Sequence, residues 1–412
     1  MAPPPRLHPL ARSRFANGVN RAITTMWKNG WTTRPDLDPD ALWTLGADGF
    51  TREDEISIRT DDEVADFRER LSRICRSLRE EANLNALGHT MAYGQLKNAI
   101  RDRHALGRLW RQKPELAKTA IAPPIAVVGQ MRSGTTRVHR LLASDRRHCG
   151  TRFCDSHHPV PASPDLRPIV SRGELGLLRR INPWLDTLHP FAPRRVDEEI
   201  GWLASALSPA SFEAQWRIPS FVAWSEARDP APVYAEFARI LRTDAAHHGN
   251  ADRPRILKCP QFSEDLPALL ASLPGTRCVV TKRDEEAVWQ SAVSMVACQS
   301  AYQSDTISLS EIEAEWDRKI ALREARISRS VAEAKVPVVE VAFEDLNADW
   351  RSEIRRVYAA LDLNLDEGTL QAMQDELQRK ERRHRDSHAK QLQRFALRRP
   401  ASSALEPLRA VR

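Results

Sequence analysis

Residues 125–145 read IAVVGQMRSGTTRVHRLLASD, and this stretch decides the fold. Ile125, Val127 and Val128 make a short strand buried on both faces, and Gly129 ends it where a Cβ would obstruct the turn. Ser133, Gly134, Thr135 and Thr136 open an amphipathic helix, where unpaired N–H donors and the helix dipole attract an anion. The segment from Gly129 to Thr136 therefore reads as a phosphate cradle. An ordinary ATP or GTP loop, G-x-x-x-x-G-K-S/T, is disfavoured. Thr135 and Thr136 follow Gly134, so the lysine that reaches the β/γ-phosphates is missing. The cation here is Arg132, inside the loop.

Around this stretch the composition is that of a globular chain. The 412 residues are 42% hydrophobic and 28% charged with both signs interspersed, which supports a sizeable core and argues against wholesale disorder. The net charge of +7 suits a protein that handles polyanionic small molecules. The basic residues are scattered rather than massed with aromatics, so no nucleic-acid partner is expected. The six cysteines form no regular framework, which favours free thiols in a reducing compartment. Cys149, Cys154, His157 and His158 lie close in sequence, but no second Cys/His pair stands at structural-zinc spacing, and no metal is expected. No apolar run approaches the roughly 18 residues of a membrane span. No signal peptide is read in MAPPPRLHPLARSRF, so the expected location is cytoplasmic.

Residues 1–35 carry no acidic residue and several prolines, and read as a flexible arm. Residues 36–120 read as a helical region, in which Val64, Phe67, Leu71, Ile74 and Leu78 recur at three- and four-residue spacing. Residues 121–368 read as an α/β domain. Strands at Ile125, at Arg255–Lys258, at residues 277–281 and at residues 337–341 alternate with helices, which predicts a P-loop-like parallel sheet flanked by helices with ligands at its carboxyl ends. Within that domain, prolines break residues 149–250 into an irregular, helical insertion over the active site, on the acceptor side. Its Trp184, Trp202, Trp216 and Trp224 read as packing bodies for short helices, with an aromatic-lined acceptor pocket as the alternative. Residues 369–412 read as a basic C-terminal tail.

Lys282-Arg283-Asp284 lies just past a strand, and Ser291 follows eight residues after Arg283. An arginine fork at a strand's carboxyl end, plus a hydroxyl from the adjoining helix, can hold a second phosphate. With both phosphate clamps present, the chain resembles the sulfotransferases that use 3′-phosphoadenosine 5′-phosphosulfate. The likeness is especially to the bacterial branch with a loop of the type G-x-P-R/K-S/T-G-T-T, here Gly129-Gln130-Met131-Arg132-Ser133-Gly134-Thr135-Thr136. In that family an Arg and a Ser placed like Arg283 and Ser291 hold the donor's 3′-phosphate. The segments Ile256–Gln261, Phe343–Asn347 and Val138–Leu142 also resemble the family's L-K-S/T-P-x-H, Y-E-D-L and L-H-R-L-L. Four departures stand out: Met131 for a proline, Phe262 for a histidine, Glu285 for a proline, and Phe153-Cys154-Asp155 for T-W-E.

The resemblance implies the sulfotransferase fold, 3′-phosphoadenosine 5′-phosphosulfate as sulfuryl donor, and a hydroxyl or amine of a small-molecule or glycolipid-like acceptor. It implies donor contacts at Gln130, Met131, Arg132, Ser133, Gly134, Thr135, Thr136, Arg283 and Ser291. Sulfuryl transfer asks for a base on the acceptor and for positive groups on the transferring and leaving oxygens. The loop amides and Arg132 supply the second without a divalent metal, and Lys258 is a further possible cation. Asp155, which matches the family's carboxylate after the loop helix, is the first candidate for the base. His139, about one turn into that helix, and the pair Glu198 and Glu199 are the alternatives. Two other readings stay open: a P-loop kinase-like enzyme with arginine for lysine, and an inactive nucleotide-binding protein of the same fold.

Overall fold

The computed structural model describes residues 3–378 and 382–399. Among them, five parallel strands form one sheet in the order β2-β3-β1-β4-β5: β1 Ile125–Gly129, β2 Cys149–Gly150, β3 Arg255–Lys258, β4 Arg277–Lys282 and β5 Val338–Ala342. Every residue of β1 is buried, as a near-continuous apolar run requires of a central parallel strand covered on both faces. On one face Ala126 and Val128 pack with Leu257, Val280, Trp202 and Phe237. On the other, Ile125 and Val127 pack with Val138, Leu141 and Leu142 of the helix Thr135–Ala143. β1 lies between β3 and β4, so its carboxyl end is a topological switch point, the place where open α/β sheets bind ligands. The sequence reading lacks β2, because two residues are too few to show any periodicity.

The apolar spacing at Val64–Leu78 falls on the helix Asp61–Glu80, whose start is fixed by a capping box between Thr60 and Glu63. Ser308 and Glu311 close the same device at the start of Leu309–Glu333. A buried ion network joins that helix to the insertion: Lys319 Nζ lies 2.9, 2.8 and 2.9 Å from Glu213, Glu226 and Glu264, and Arg323 reaches Glu264 and Glu213.

Three parts differ from the expectation. Residues 3–35 are docked, not loose. Ser13 caps a helix Arg14–Lys28, and the fully buried Arg6 donates to the Ser294 carbonyl at 2.8 Å. The Trp184 indole donates to the Pro4 carbonyl at 2.7 Å. Such partners come from distant chain, so a composition reading cannot see them. The insertion is more regular than its prolines suggest, with helices at Arg167–Ile181 and Ala231–His248. Its Leu207, Phe212, Trp216 and Phe221 share one core with Phe67, Leu71 and Ile74 of the N-terminal helical region. In the C-terminal part, Leu370 and Met373 are buried beside Val357 and Tyr358; residues 379–381 and 400–412 of the expected tail lie outside the described residues.

Candidate functional site

The loop after β1 turns its polar side chains inward. Ser133 Oγ donates to the Gln130 carbonyl at 2.7 Å and shares a 2.6 Å hydrogen bond with Thr281 Oγ1 on β4. The Gln130 carboxamide donates to the Ile320 carbonyl at 2.8 Å, and Met131 packs with Val288, Trp289 and Trp316. Gly129 lies so close to β4 that a Cβ would meet Thr281 Oγ1 at 2.2 Å. Gly134 is left-handed at φ 94°, and a Cβ there would sit 2.5 Å from the Phe343 ring. The helix begins at Thr135, so helix geometry leaves the Thr135 and Thr136 amides without intrahelical acceptors. A loop anchored from beneath therefore presents backbone donors at a helix start.

Beside these donors stand two guanidinium groups. Arg132 Nε donates to Ser291 Oγ at 2.8 Å, and its Nη1 donates to the Leu188 carbonyl at 2.8 Å. Arg283 Nη1 donates to the Arg132 carbonyl at 2.8 Å, with its guanidinium 4.4 Å from the centre of the Phe343 ring. The two clamps expected from sequence, Arg283 and Ser291, thus meet at Arg132. The hydrogen-bond partners of both cations are neutral. Burial, with a contribution from neighbouring Arg283, pushes the Arg132 pKa down to about 10. Two crowded cations held by neutral groups favour an anion between them.

Across the loop helix, Lys258 at the end of β3 makes an ion pair with Glu198. Glu198 is half-buried and contributes to the field at Arg132. His189 Nε2 lies 3.0 Å from Asp197 Oδ1, and its ring stacks on Phe191 at 4.4 Å. His189, Asp197 and Glu198 bring potential ligand atoms within 4.8 Å of one another, as do Asp155, Asp244 and His248. Each group is supplied with a protein cation, Lys258 at the first and Arg152 and Arg255 at the second. Sequence reasoning missed His189, the Leu188 carbonyl and the role of Phe343. The first two carried no local signal, while Phe343 was visible only as part of a motif.

The other candidate bases are placed differently. Asp155 is buried and ringed by cations: Arg152 Nε at 2.6 Å, Arg167 Nη2 at 3.2 Å and His248 Nε2 at 3.2 Å. Desolvation opposes its charge, but these partners win and hold its carboxyl well below the usual carboxylate range. This runs against the sequence expectation for Asp155, because a carboxylate so committed is a poor proton acceptor. His139 is buried at the helix–sheet seam, where its Nε2–H donates to the Ile256 carbonyl at 3.1 Å. Burial, aided by Lys258, pushes its pKa down to about 3, which fits a packed neutral imidazole. Glu199 is also buried, accepting from the Lys258 amide at 2.8 Å, and desolvation pushes its pKa up to about 8.

His248 yields a pH prediction. Hydrogen bonds to Asp155 and Asp244 push its pKa up to about 9. A raised histidine pKa stabilises the fold fully below its unfolded value of about 6.5, and that contribution is lost as pH rises through the folded value. The melting temperature is therefore expected to fall between about pH 7 and pH 10, and to fall less in His248→Gln. Identical pH profiles for the two proteins would remove His248 from this role.

A cavity of about 380 Å³ lies elsewhere, lined by Trp216, Ile218, Val222, Val296, Ile312 and Trp316. Val296 and Ser300, which line it, stand about 140° and 180° round the helix Glu285–Ser300 from Ser291. A smaller cavity of about 160 Å³ adjoins the loop itself, lined by Gln130, Ser133, Lys282 and Arg283 among others.

The sequence profile described as the sulfotransferase family matches residues 123–367, the whole span from β1 to β5 and beyond. The chain belongs to the sulfotransferase family. The chain is 25% identical over 260 residues to the omega-hydroxy-beta-dihydromenaquinone-9 sulfotransferases Stf3 of Mycobacterium bovis and Mycobacterium tuberculosis. The matched stretch covers 60% of this chain and 65% of theirs, just under two thirds of the relatives' length. Its fold superposes on the crystal structure of sulfotransferase STF1 from Mycobacterium tuberculosis H37Rv with a TM-score of 0.73 and 26% identity, covering 87% of this chain and 98% of the other. The crystal structure of STF9 from Mycobacterium avium gives the same TM-score at 18% identity, over 84% and 88% of the two chains, and supports the fold alone. Among the described residues, no helix is long and apolar enough to cross a membrane.

Proposed function

We propose that the protein transfers a sulfuryl group from 3′-phosphoadenosine 5′-phosphosulfate to a hydroxyl of an apolar, lipid-like acceptor. The observation that carries the donor reading is the meeting of Arg132, Arg283 and Ser291 beside an anchored helix-start loop, with neutral partners on both guanidinium groups. A 3′-phosphate would engage Arg283 and Ser291, while Arg132 and the loop amides with Thr135 and Thr136 would face the 5′-phosphosulfate. The family resemblance gives the donor its identity, and the names of the Stf3 relatives support a hydroxylated lipid as acceptor.

Glu198 is the proposed base. It is half-buried, lies beside Lys258 and stands near Arg132, so a proton taken from the acceptor hydroxyl would move to a carboxylate at the edge of the cationic loop. Lys258 and Arg132 would stabilise negative charge on the transferring and leaving oxygens. Asp155 then serves as the ionic hub that holds Arg152, Arg167 and His248 together, while His139 and Glu199 set the seam beneath.

Calorimetry tests the donor. Adenosine 3′,5′-bisphosphate is expected to bind more tightly than AMP, and Arg283→Ala is expected to erase most of that preference. Loss of one charge-assisted pair corresponds to about 1.5–3 kcal/mol, roughly ten- to a hundredfold in affinity. Equal affinities for the two nucleotides in the wild-type protein would overturn the assignment.

A further inference from the structure

The helix Arg167–Ile181 and the residue before it turn an apolar stripe to solvent. Leu166, Ile169, Val170 and Leu177 are 55%, 66%, 48% and 53% exposed. With Gly173 among them, they follow the spacing of one helical face. The opposite side of the helix is already occupied, since Pro168, Ser171 and Leu175 are buried against the protein. The outward stripe therefore contributes nothing to the core, and a contiguous apolar surface of this kind marks an interaction site.

The surface continues onto a second element. Ser13 Oγ donates to the Ile181 carbonyl at 2.6 Å, and Ala16 shares an apolar cluster with Ile181, so the helix Arg14–Lys28 starts where the first helix ends. Its Phe15 and Met26 are exposed, and Trp31 just beyond it is the most exposed tryptophan described. Phe15, Ala22 and Met26 fall on one flank of this helix, while Arg14, Arg21 and Lys28 repeat every seven residues along the other, all exposed.

Charge decides the occupant. Residues 1–35 hold no acidic residue, and of their six Arg and Lys residues Arg14, Arg21 and Lys28 are exposed on this face, while Arg6 is buried and Arg12 pairs with Asp305. Arg172 and Arg180 are exposed beside the stripe, and Glu174 at its edge pairs with His158 at 2.9 Å. Exposed aliphatic and aromatic side chains flanked by unopposed arginines match an anionic bilayer surface, where apolar groups enter the headgroup boundary and cations meet lipid phosphates. A second copy of the chain would instead bring these basic residues against one another.

The geometry points to a membrane-docking face, built from Arg167–Ile181, Arg14–Lys28 and Trp31, that lies on a bilayer containing anionic phospholipid without crossing it. The stretch of chain after the first helix runs through Leu185–Leu188 to the carbonyl that holds Arg132. The docked face and the candidate site are thus joined by a few residues. The inference does not depend on the donor or the acceptor, and its test uses neither.

The test is flotation of the full chain with lipid vesicles. The protein is expected to float with phosphatidylcholine vesicles carrying roughly one third phosphatidylglycerol, weakly with pure phosphatidylcholine, and less as salt rises. Ile169→Asp with Leu177→Asp is expected to reduce binding by about tenfold or more. Arg14→Ala and Arg21→Ala are each expected to reduce it about fivefold. All four positions are exposed, so the circular-dichroism melt is expected to stay unchanged. No flotation on anionic vesicles, or flotation that none of the variants weakens, would overturn the proposal. So would a dimer in light scattering that Ile169→Asp dissociates, which would assign the stripe to a second copy.

Discussion

Glu198→Gln is expected to slow sulfuryl transfer by about 10²–10⁴-fold, the range of a lost general base, while adenosine 3′,5′-bisphosphate binds nearly as before. The reason is placement. Glu198 pairs with Lys258, outside the cluster that joins Arg132 to Arg283 and Ser291, so its replacement leaves the proposed 3′-phosphate contacts in place. Glutamine keeps the size and loses the proton-accepting carboxylate, which separates chemistry from shape. Single-turnover rates alongside nucleotide affinity read the two effects apart. A Glu198→Gln protein that turns over at the wild-type rate would show that the base lies elsewhere, with His189, next in the chain to the Leu188 carbonyl that holds Arg132, the residue to test after it.

Asp155→Asn is expected to do the reverse, lowering stability by about 3–5 kcal/mol and leaving the rate constant of the chemical step largely intact. Removing one charge from the hub leaves Arg167, which is buried, and His248 facing an amide, although Asp165 still pairs with Arg152 and Arg167, and Asp244 with His248. The effect belongs at the lower end of that range because Arg152 reaches solvent, with 26% of its side chain exposed. Denaturant unfolding of the variant measures the stability change, and activity well below the melting point measures the rate. A stable Asp155→Asn protein with a loss of turnover above a hundredfold would restore Asp155 as the base. The two substitutions together therefore distinguish a carboxylate that accepts a proton from one that neutralises cations.

Both residues are carboxylates near the expected acceptor side, and nothing in their local spacing separates them. Asp155 stands where the resembling family has a carboxylate, and three residues after an arginine that captures it. Sequence reading registers the first fact and underweights the second, because His248 and Arg167 arrive from other helices only on folding. The same blindness explains the N-terminal segment. Its prolines and lack of acids suggested a loose arm, yet Arg6 is buried against the helix that carries Ser291. An arginine held by carbonyl oxygens leaves no complementary acid for composition to show.

The central strands, the long helices and the loop between β1 and its helix were legible in the sequence because each is written in contiguous residues. β1 shows an unbroken apolar run, the helices show periodic apolar faces, and the loop ends in a glycine and two threonines at a helix start. Those signals rest on local geometry, which repeats wherever the same residues occur in order. The tertiary structure alone decided which cation meets which carboxylate: Lys258 with Glu198, Arg167 and His248 with Asp155, Arg132 with Ser291. A charged side chain finds its partner by proximity in the folded chain, where burial multiplies the cost of a wrong pairing, and spacing along the chain carries no record of that choice.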